Sequence, residues 1–590
     1  MLFRELANYW QRLEKTSSRN QKAQILLNLI ERVSLSEVKE VCYLSLGRLG
    51  PFYARREFNL AEKMLIRILA SVFELSLQEV RRVFQRRGDL GLVAELLAPQ
   101  RGTSDASLSV KEVYQELEEI ARCEGKGSQE KKVHLFASLV QRLDPLSLRY
   151  LLRIPLGQLR LGFSAMTFLE ALTFYLFGEK SKLPIVRKKY NICPDIGWLS
   201  FLAKKGGWSE LEEIKVEINR PVLPALAERL GSAKEIVKKL GNFIVEPKID
   251  GFRMQLHLRR IDDSKIDYRF FSRNLEDITL MFPEIKRMVE KLNLESAILD
   301  GEVVAYDPLT NNTLPFQQTM RRKRKYKIRE QLEKLPVKLF VFDLLFLNGQ
   351  ELLEQPFSER RKLLEQIIPS SLELILVPQH YVSTVEDLKK LFDYYLQQGK
   401  EGLMCKKPDS FYQAGARNFN WVKYKRSTEG VGLSDTLDVL VLGYYAGRGQ
   451  RAKIGLGAFL VGVWNEKNEC FESLAKIGTG LTEAQWKEFK ELAQKLIVPE
   501  KPRQYRVDKN LFCDVWLRPG LVVEIDADEI TLSPLHCAGM DFIREIKQDS
   551  GVNGFSLRFP RLLRFREKQP QEVTSVEEIV KMYQEGRKRA

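Results

Sequence analysis

Histidine and cysteine are scarce and scattered in this chain. The four histidines in 590 residues (His134, His257, His380 and His536) show no HxH or HxxxH spacing, so histidine-based metal or triad chemistry has no local signal. The seven cysteines (Cys42, Cys123, Cys193, Cys405, Cys470, Cys513, Cys537) are odd in number, far apart and form no CxxC pair. That pattern excludes a disulfide framework or a Cys-rich zinc module and points to a reducing compartment. No run of 18 apolar residues occurs, and the most apolar strand-like run, Leu339–Leu347, is interrupted by Asp343; a membrane-spanning helix is not expected. Arg4 and Glu5 stand near the start with no apolar stretch behind them, so no secretory leader is expected. Internal repeats and low-complexity tracts are absent, which removes solenoids from consideration.

What is present is ordinary globular material with a basic excess. Hydrophobic residues make up 44% and charged residues 29%, enough apolar content for sizeable cores. The length suggests about three to five domains. Lys plus Arg number 94 against 78 Asp plus Glu, a formal charge of +16. Such a balance favours a polyanionic partner, either nucleic acid or an anionic membrane surface.

The texture changes twice along the chain. Residues 1–215 read as helices: Ile25, Leu26, Leu29, Ile30 and Val33 share one face, as do Leu60, Met64, Leu65, Ile68, Leu69 and Val72. Pro145, Pro155, Pro184 and Pro194 divide the later part into short helices and turns. Arg142, Arg149, Arg153 and Arg160 are interleaved there, and each taken singly reads as part of a solvated face. The two prolines of PVLPALAER (Pro221–Arg229) bracket an extended segment. Residues 216–430 then mix strands with helices such as Glu284–Leu292 and Glu386–Gln398, an α+β pattern. Residues 431–590 are mostly short strands with one clear helix, Glu483–Ile497, which suits a small β-barrel such as an OB-fold.

The sharpest chemical feature is Lys248-Ile249-Asp250-Gly251 at the end of an apolar strand. A lysine held at a strand end, followed by a glycine that lets backbone approach a phosphate, is a candidate nucleophile. Alone, it equally describes a strand-end turn. Further blocks follow in order: Phe271-Ser272-Arg273-Asn274, Leu299-Asp300-Gly301-Glu302, Phe340-Val341-Phe342-Asp343, Glu401 to Lys406, and Trp421 to Lys425. Together they offer carboxylates for a metal or ribose, an aromatic face for a purine, and cations for an α-phosphate.

This ordered set resembles the six nucleotidyltransferase motifs of ATP-dependent DNA ligases, most closely the archaeal and eukaryotic replicative type. FSLRFPRLLRFRE (Phe555–Glu567) is similar to the sixth motif. RLGFSAMTFLEAL (Arg160–Leu172) resembles the family's helical DNA-binding domain, and LNGQELLEQPFSERRKLL (Leu347–Leu364) is also close, so the likeness covers nearly the whole chain. The resemblance implies a multidomain fold: an all-α DNA-binding domain over 1–215, an α+β nucleotidyltransferase (adenylation) domain over 216–430, and a β-barrel OB-fold domain over 431–590.

It also implies roles. Lys248 resembles the nucleophile that forms a phosphoramidate with AMP. A free lysine has a pKa of about 10.4, so it must lose its proton before attack. Glu246 matches the residue that reads the adenine amino group. Arg253 and Arg273 match arginines around the ribose and phosphates, Arg273 also being placed for the 5′-phosphate of a nick. Glu302 matches the ribose or metal carboxylate, Glu401 the second metal carboxylate, and Phe342 the ring stacked on adenine. Arg417, Lys423 and Lys425 match phosphate-binding cations, and Arg558 and Arg561 the group that orients pyrophosphate. The implied cofactors are ATP and Mg²⁺, or Mn²⁺ in its place. The implied partner is nicked duplex DNA, with a sliding clamp as a further one; a monomer is expected, cytoplasmic and nucleoid-associated in a prokaryote, nuclear in a eukaryote.

The sixth block carries Arg558, Arg561, Arg564, Arg566 and Lys568 against the single acid Glu567 and so reads as strongly cationic. RRKRKYKIR (Arg321–Arg329), seven basic residues in nine, suits a nucleic-acid-facing loop or helix end better than a localisation signal. Among rivals, an NAD-dependent ligase lacks support because no four-cysteine module exists. An RNA ligase or GTP-using capping enzyme fits poorly with the long helical N-terminal region and the FSLRFPR ending. A non-catalytic nucleic-acid-binding scaffold would not need Lys248, Glu302, Glu401 and Lys423 all in place.

Overall fold

The computed structural model describes residues 1–16, 18–54, 56–98, 108–157, 159–230, 232–262, 265–314, 318–319, 322, 335–369, 371, 373–425, 436–447, 456–479, 481–545, 552–566 and 568–588. Most of the basic run Arg321–Arg329, and residues 426–435, lie outside the described residues. The chain divides into two compact units. Met1–Ala227, Ile249–Pro378 and Lys406–Trp421 form the first; Glu228–Lys248, Gln379–Cys405 and Val422–Ala590 form the second.

The first unit opens with thirteen helices among the described residues, from Phe3–Lys15 to Trp208–Glu212. Ser76 with Glu79, and Ser109 with Glu112, close reciprocal capping boxes at the starts of Leu77–Arg87 and Val110–Arg122, which satisfies amide groups the helices leave open. Trp10 is fully buried, donates Nε1–H to Ser45 Oγ at 2.9 Å and meets Phe3 and Tyr150 edge-on.

Of the four arginines expected on solvated faces, Arg153 is an internal strut instead, Arg142 and Arg149 are partly buried, and Arg160 is exposed. Arg153 is 3% exposed; its Nε donates to both oxygens of Asp89, at 3.2 and 3.1 Å, and its Nη1 and Nη2 reach Glu14 at 3.1 Å each. Arg149 binds Glu95 at 2.6 Å, Arg160 binds Asp89 at 2.9 Å, and Arg142 pairs with Glu116. Helical periodicity places a residue on a face; it does not reveal that a neighbouring helix brings an acid to that face.

The remainder of the first unit is built on a largely antiparallel six-stranded sheet. Its strand order is Ile266–Ser272, Phe252–Arg260, Ser296–Ala305, Val337–Leu347 and Gln350–Glu351, with Leu374–Leu376 parallel beside Val337–Leu347. The observed helix Pro283–Glu290 starts and ends slightly earlier than the expected Glu284–Leu292, because Pro283 supplies a preset first turn. Asp343, the acid that interrupts the apolar run, is 1% exposed and takes a two-pronged contact from Arg360 at 2.7 and 3.0 Å. The segment after the helical region is fastened to this sheet. The amide of Val216 donates to Glu351 at 2.6 Å, that of Asn219 to His257 Nδ1 at 3.1 Å, and that of Val222 to Gln255 at 2.8 Å.

In the second unit, helices Ala233–Leu240 and Val385–Gln397 share a core with Phe243, Val245, Leu403, Val422 and Tyr424. The associated sheet runs in the order Leu226–Arg229, Arg417–Lys425, Gly402–Lys406, Phe243–Lys248 and His380–Val382. The C-terminal part is sheet-rich. Leu437–Tyr445 pairs with Ala458–Asn465, Val515–Leu517 and Val522–Asp526, and Val522–Asp526 pairs in turn with Arg561–Arg566. The helix Glu483–Gln494 is present, shorter than the expected Glu483–Ile497 because Ile497–Val498 joins the sheet as a strand. Two further helices, Met540–Glu545 and Val576–Lys588, were not expected from the sequence; in the latter Ile579 is fully buried.

Candidate active site

Alternation along Phe243–Lys248 divides the strand. Phe243 and Val245 enter the core, which leaves Ile244, Glu246 and Lys248 on the other face. Lys248 Nζ donates to Glu401, and the other oxygen of the same carboxylate accepts from Lys425 Nζ. Glu401 is placed by its own backbone, whose amide donates to the Lys248 carbonyl at 3.2 Å. Gly402 follows with φ +147°, and a Cβ there would lie 2.2 Å from the Tyr424 carbonyl. Only glycine lets this strand seat against its neighbour directly after Glu401. Burial alone would raise the Glu401 carboxyl, but the Lys248 and Lys425 ammoniums outweigh it and hold the carboxyl below its ordinary value. Lys423, two residues before Lys425, is half-buried on the same face of its strand. Glu246 is 2% exposed and accepts a hydrogen bond from Gln379 Nε2 at 2.7 Å.

The first unit assembles the aromatic and carboxylate residues. Arg253 grips Asp300 with two parallel hydrogen bonds, at 3.0 and 2.7 Å, and donates to the Ala225 carbonyl at 2.7 Å. Tyr412 donates its hydroxyl to Asp300 at 2.7 Å and accepts the Ala225 amide at 3.0 Å. Burial by itself would lower the Arg253 guanidinium; Asp300 foremost, then Tyr412 and Glu302, more than offset this and keep it charged. Glu302 is half-buried and lies opposite Arg253 in strand register. Phe342 meets Trp421 edge-on at 6.1 Å. The buried Lys406 ammonium stands 4.8 Å from the Phe342 ring and 4.4 Å from the Trp421 ring, and 4.5 Å from that of Phe357. Arg273 is exposed and borders a narrow cleft with Arg253, Gln255, Ser272, Leu275 and Asp300. Arg417 is exposed at the start of its strand.

The C-terminal block departs from the bare cationic strip that its composition suggests. Arg561 bridges Asp526 and Asp528 at 2.8 and 3.0 Å, Arg564 binds Glu524 at 2.5 Å, and Lys568 binds Asp438 at 2.7 Å. Arg558 lies 3.7 Å from Glu529. The intervening Phe559 has φ +52° and is 59% exposed, with the Lys425 ammonium 5.9 Å from its ring.

Sequence reasoning singled out Lys248, Glu401 and Lys425, which meet, but it missed the partners. Asp300 and Lys406 stood inside quoted motif blocks without a role of their own. Tyr412, Trp421 as a wall beside Phe342, and Gln379 carried no signal beyond their side-chain types. Among the described residues no cluster of three or more His, Cys, Asp or Glu side chains could hold a metal ion by itself. Magnesium does not require one, since it is commonly held by one or two carboxylates together with substrate phosphates and water. Among the described residues no helix is long and apolar enough to cross a membrane.

Three family profiles match in series. They are "DNA ligase N terminus" over residues 2–173, "ATP dependent DNA ligase domain" over 224–425 and "ATP dependent DNA ligase C terminal region" over 452–569. The chain is 40% identical over its whole length to a "Probable DNA ligase" of Dictyoglomus turgidum, covering 98% of that protein. It is 37% identical to "DNA ligase 2" of Thermofilum pendens over 99% of the chain and 98% of that relative. Among solved structures, "Pmar-Lig_PreS3" superposes with a TM-score of 0.54 over 95% of this chain and 99% of its own, at 18% identity, a likeness of fold.

Proposed function

Because the chain belongs to the ATP-dependent DNA ligase family, we propose that Lys248 is the group that takes AMP from ATP and that the protein passes this AMP to the 5′-phosphate of a nick. Lys248 Nζ attacks the α-phosphorus in line, the new N–P bond forms, and the bond to the departing pyrophosphate breaks. The 5′-phosphate oxygen then displaces Lys248 and takes the AMP. In the last step the 3′-hydroxyl attacks the activated phosphate and AMP leaves, which closes the strand. The observation that carries this reading is the charge cluster at the strand end, where Lys248 and Lys425 share the Glu401 carboxylate.

Each side chain has work suited to its setting. Lys248 is an ammonium paired with Glu401, so it must surrender both that partner and its proton before it can attack. Lys423, Lys425 and Arg417 neutralise phosphate charge, Phe342 stacks on the base, and Glu246 accepts from the adenine amino group. Arg273 serves the phosphates, while Arg253, braced by Asp300, serves the ribose side. Glu302 and Glu401 would hold a divalent ion, Mg²⁺ or Mn²⁺, which when bound screens charge on the phosphates. Arg558 and Arg561 align the pyrophosphate.

The layout we favour is a helical DNA-binding domain over 1–215, an adenylation domain over 216–430 and an OB-fold over 431–590, acting as a monomer on duplex DNA, with a sliding clamp as a further partner. Its role is nick closure in replication, repair and recombination; since the matched relatives are bacterial and archaeal, we place it in the cytoplasm. Incubation with labelled ATP, GTP or NAD followed by a denaturing gel tests the chemistry. ATP alone should label the protein covalently, and Lys248→Arg should abolish the label, because a guanidinium cannot be deprotonated in a protein. An adduct in that variant would remove Lys248 from the nucleophile's role.

A further inference from the structure

We infer that Gln379 is a positioning residue that sets which purine the site accepts, a reading that rests on Glu246 being the group that meets the base. Val245 and His380 are paired across antiparallel strands, so the next residue forward and the next residue back, Glu246 and Gln379, come to face one another. The Gln379 Nε2 donates to Glu246 Oε1 at 2.7 Å, and Glu246 is 2% exposed.

A buried carboxylate with four lone-pair directions and no fixed donor can rotate and present either oxygen to a ligand. The Gln379 amide engages one oxygen and so orients the other. A carboxylate fixed in this way only accepts. It matches a purine with an amino group at C6 and opposes one with a carbonyl there, where two acceptors would face each other in a buried site. Selection for adenine over hypoxanthine or guanine therefore depends on the donor at 379 as well as on the acid at 246.

Two substitutions separate the donor from bulk. Gln379→Met keeps the volume and removes the donor, while Gln379→Glu replaces the donor with a second acid. Two carboxyls at that distance retain one proton between them, which gives the pair an O–H to offer a C6 carbonyl. The readout is covalent labelling of the full-length protein by α-labelled ATP or ITP, with kcat and KM determined separately. In Gln379→Met the KM for ATP should rise roughly tenfold, as expected for a lost hydrogen bond to a charged group, with kcat within about twofold and a narrower preference over ITP. In Gln379→Glu the kcat/KM for ITP should rise while that for ATP falls. Circular dichroism melts establish that the variants are folded. If both folded variants keep the parental KM and ATP-to-ITP ratio, or lose activity equally with both nucleotides, Gln379 has no part in base selection. Glu246→Gln is the control for the underlying reading: an unchanged ATP-to-ITP ratio there would show that Glu246 itself does not read the base, whereas a changed ratio there with unaltered Gln379 variants would sink only the present inference.

Discussion

Acidification should loosen residues 216–224 from the first unit's sheet through a single buried ring. His257 has no exposed surface; its Nδ1 accepts the Asn219 amide at 3.1 Å, its Nε2 lies 2.9 Å from Gln255 Oε1, and Phe271 meets it edge-on at 5.0 Å. These partners require a neutral ring with its proton on Nε2. Burial, assisted by the nearby Arg269 charge, pushes the pKa from 6.5 down to about 3. Asp267, on the same face, is engaged by the Asn219 side chain at 2.6 Å, and Asp300, opposite Gln255, is paired with Arg253. The sign follows from proton counting. Below pH 6.5 the unfolded chain binds a proton that the folded chain refuses, so stability falls with pH until about pH 3, where the folded ring also titrates. Relative to pH 7 the loss is about 1.2 kcal/mol at pH 5.5 and about 2.5 kcal/mol at pH 4.5. Denaturant unfolding of the parent and of His257→Gln, whose side chain does not titrate, isolates this contribution from every other group. The parent's advantage over the variant should shrink by those amounts as pH falls, and exchange at the Asn219 amide should rise with it. Stability profiles that stay parallel between pH 7 and pH 4.5 would refute the argument.

Three other outcomes are expected. Phe342→Ala should weaken ATP use in the labelling assay by roughly 1–3 kcal/mol through lost base stacking; an unchanged KM would make Phe342 a core residue only. Asp300→Asn should cost about 3–5 kcal/mol in chemical denaturation because it strips the charge partner from a buried arginine; a loss below about 1 kcal/mol would mean that the Ala225 carbonyl and Tyr412 suffice to hold Arg253. Deleting residues 1–215 should leave Lys248 adenylation largely intact but cripple nick sealing, most severely as salt rises, since phosphate contacts release counterions; equal sealing at moderate salt would remove this region from DNA binding.

How far the sequence could be read depends on how far apart in the chain the interacting residues lie. Helical spacing around Leu26 and Leu65 and strand alternation around Lys248 are local, and both elements form where expected. Motif residues were legible because each block carries its own pattern. Their partners were not. Tyr412 and Asp300 are separated by 112 positions and Gln379 and Glu246 by 133, and nothing within either short stretch encodes the meeting. Strand pairing beside Gln379 settled the second case, while Tyr412 stands in a loop held by its amide's bond to the Leu353 carbonyl; both depend on the assembled fold.

Charge shows the same limit with a functional consequence. Read as a segment, Arg558 to Lys568 is a dense cation cluster with one acid, and it invites the conclusion that every one of its charges awaits an anion. The sheet places Val522–Asp526 directly beside Arg561–Arg566, with Asp526 opposite Arg561. The acids of LVVEIDADE therefore face the arginines of the tail. Arg561 is held between two aspartates, so bringing it to a pyrophosphate would require it to leave or share those contacts, and removing it would leave Asp526 and Asp528 repelling each other. A defect in Arg561→Ala would then include lost stability of the sheet-rich C-terminal part. Arg558 lies on a different strand, with its guanidinium over the ring of the exposed Phe559; that ring also lies 5.9 Å from the Lys425 ammonium, and Lys425 is itself bound to the carboxylate that pairs with Lys248. Of the two arginines, Arg558 is thus the one whose surroundings connect it to the charge cluster around Lys248.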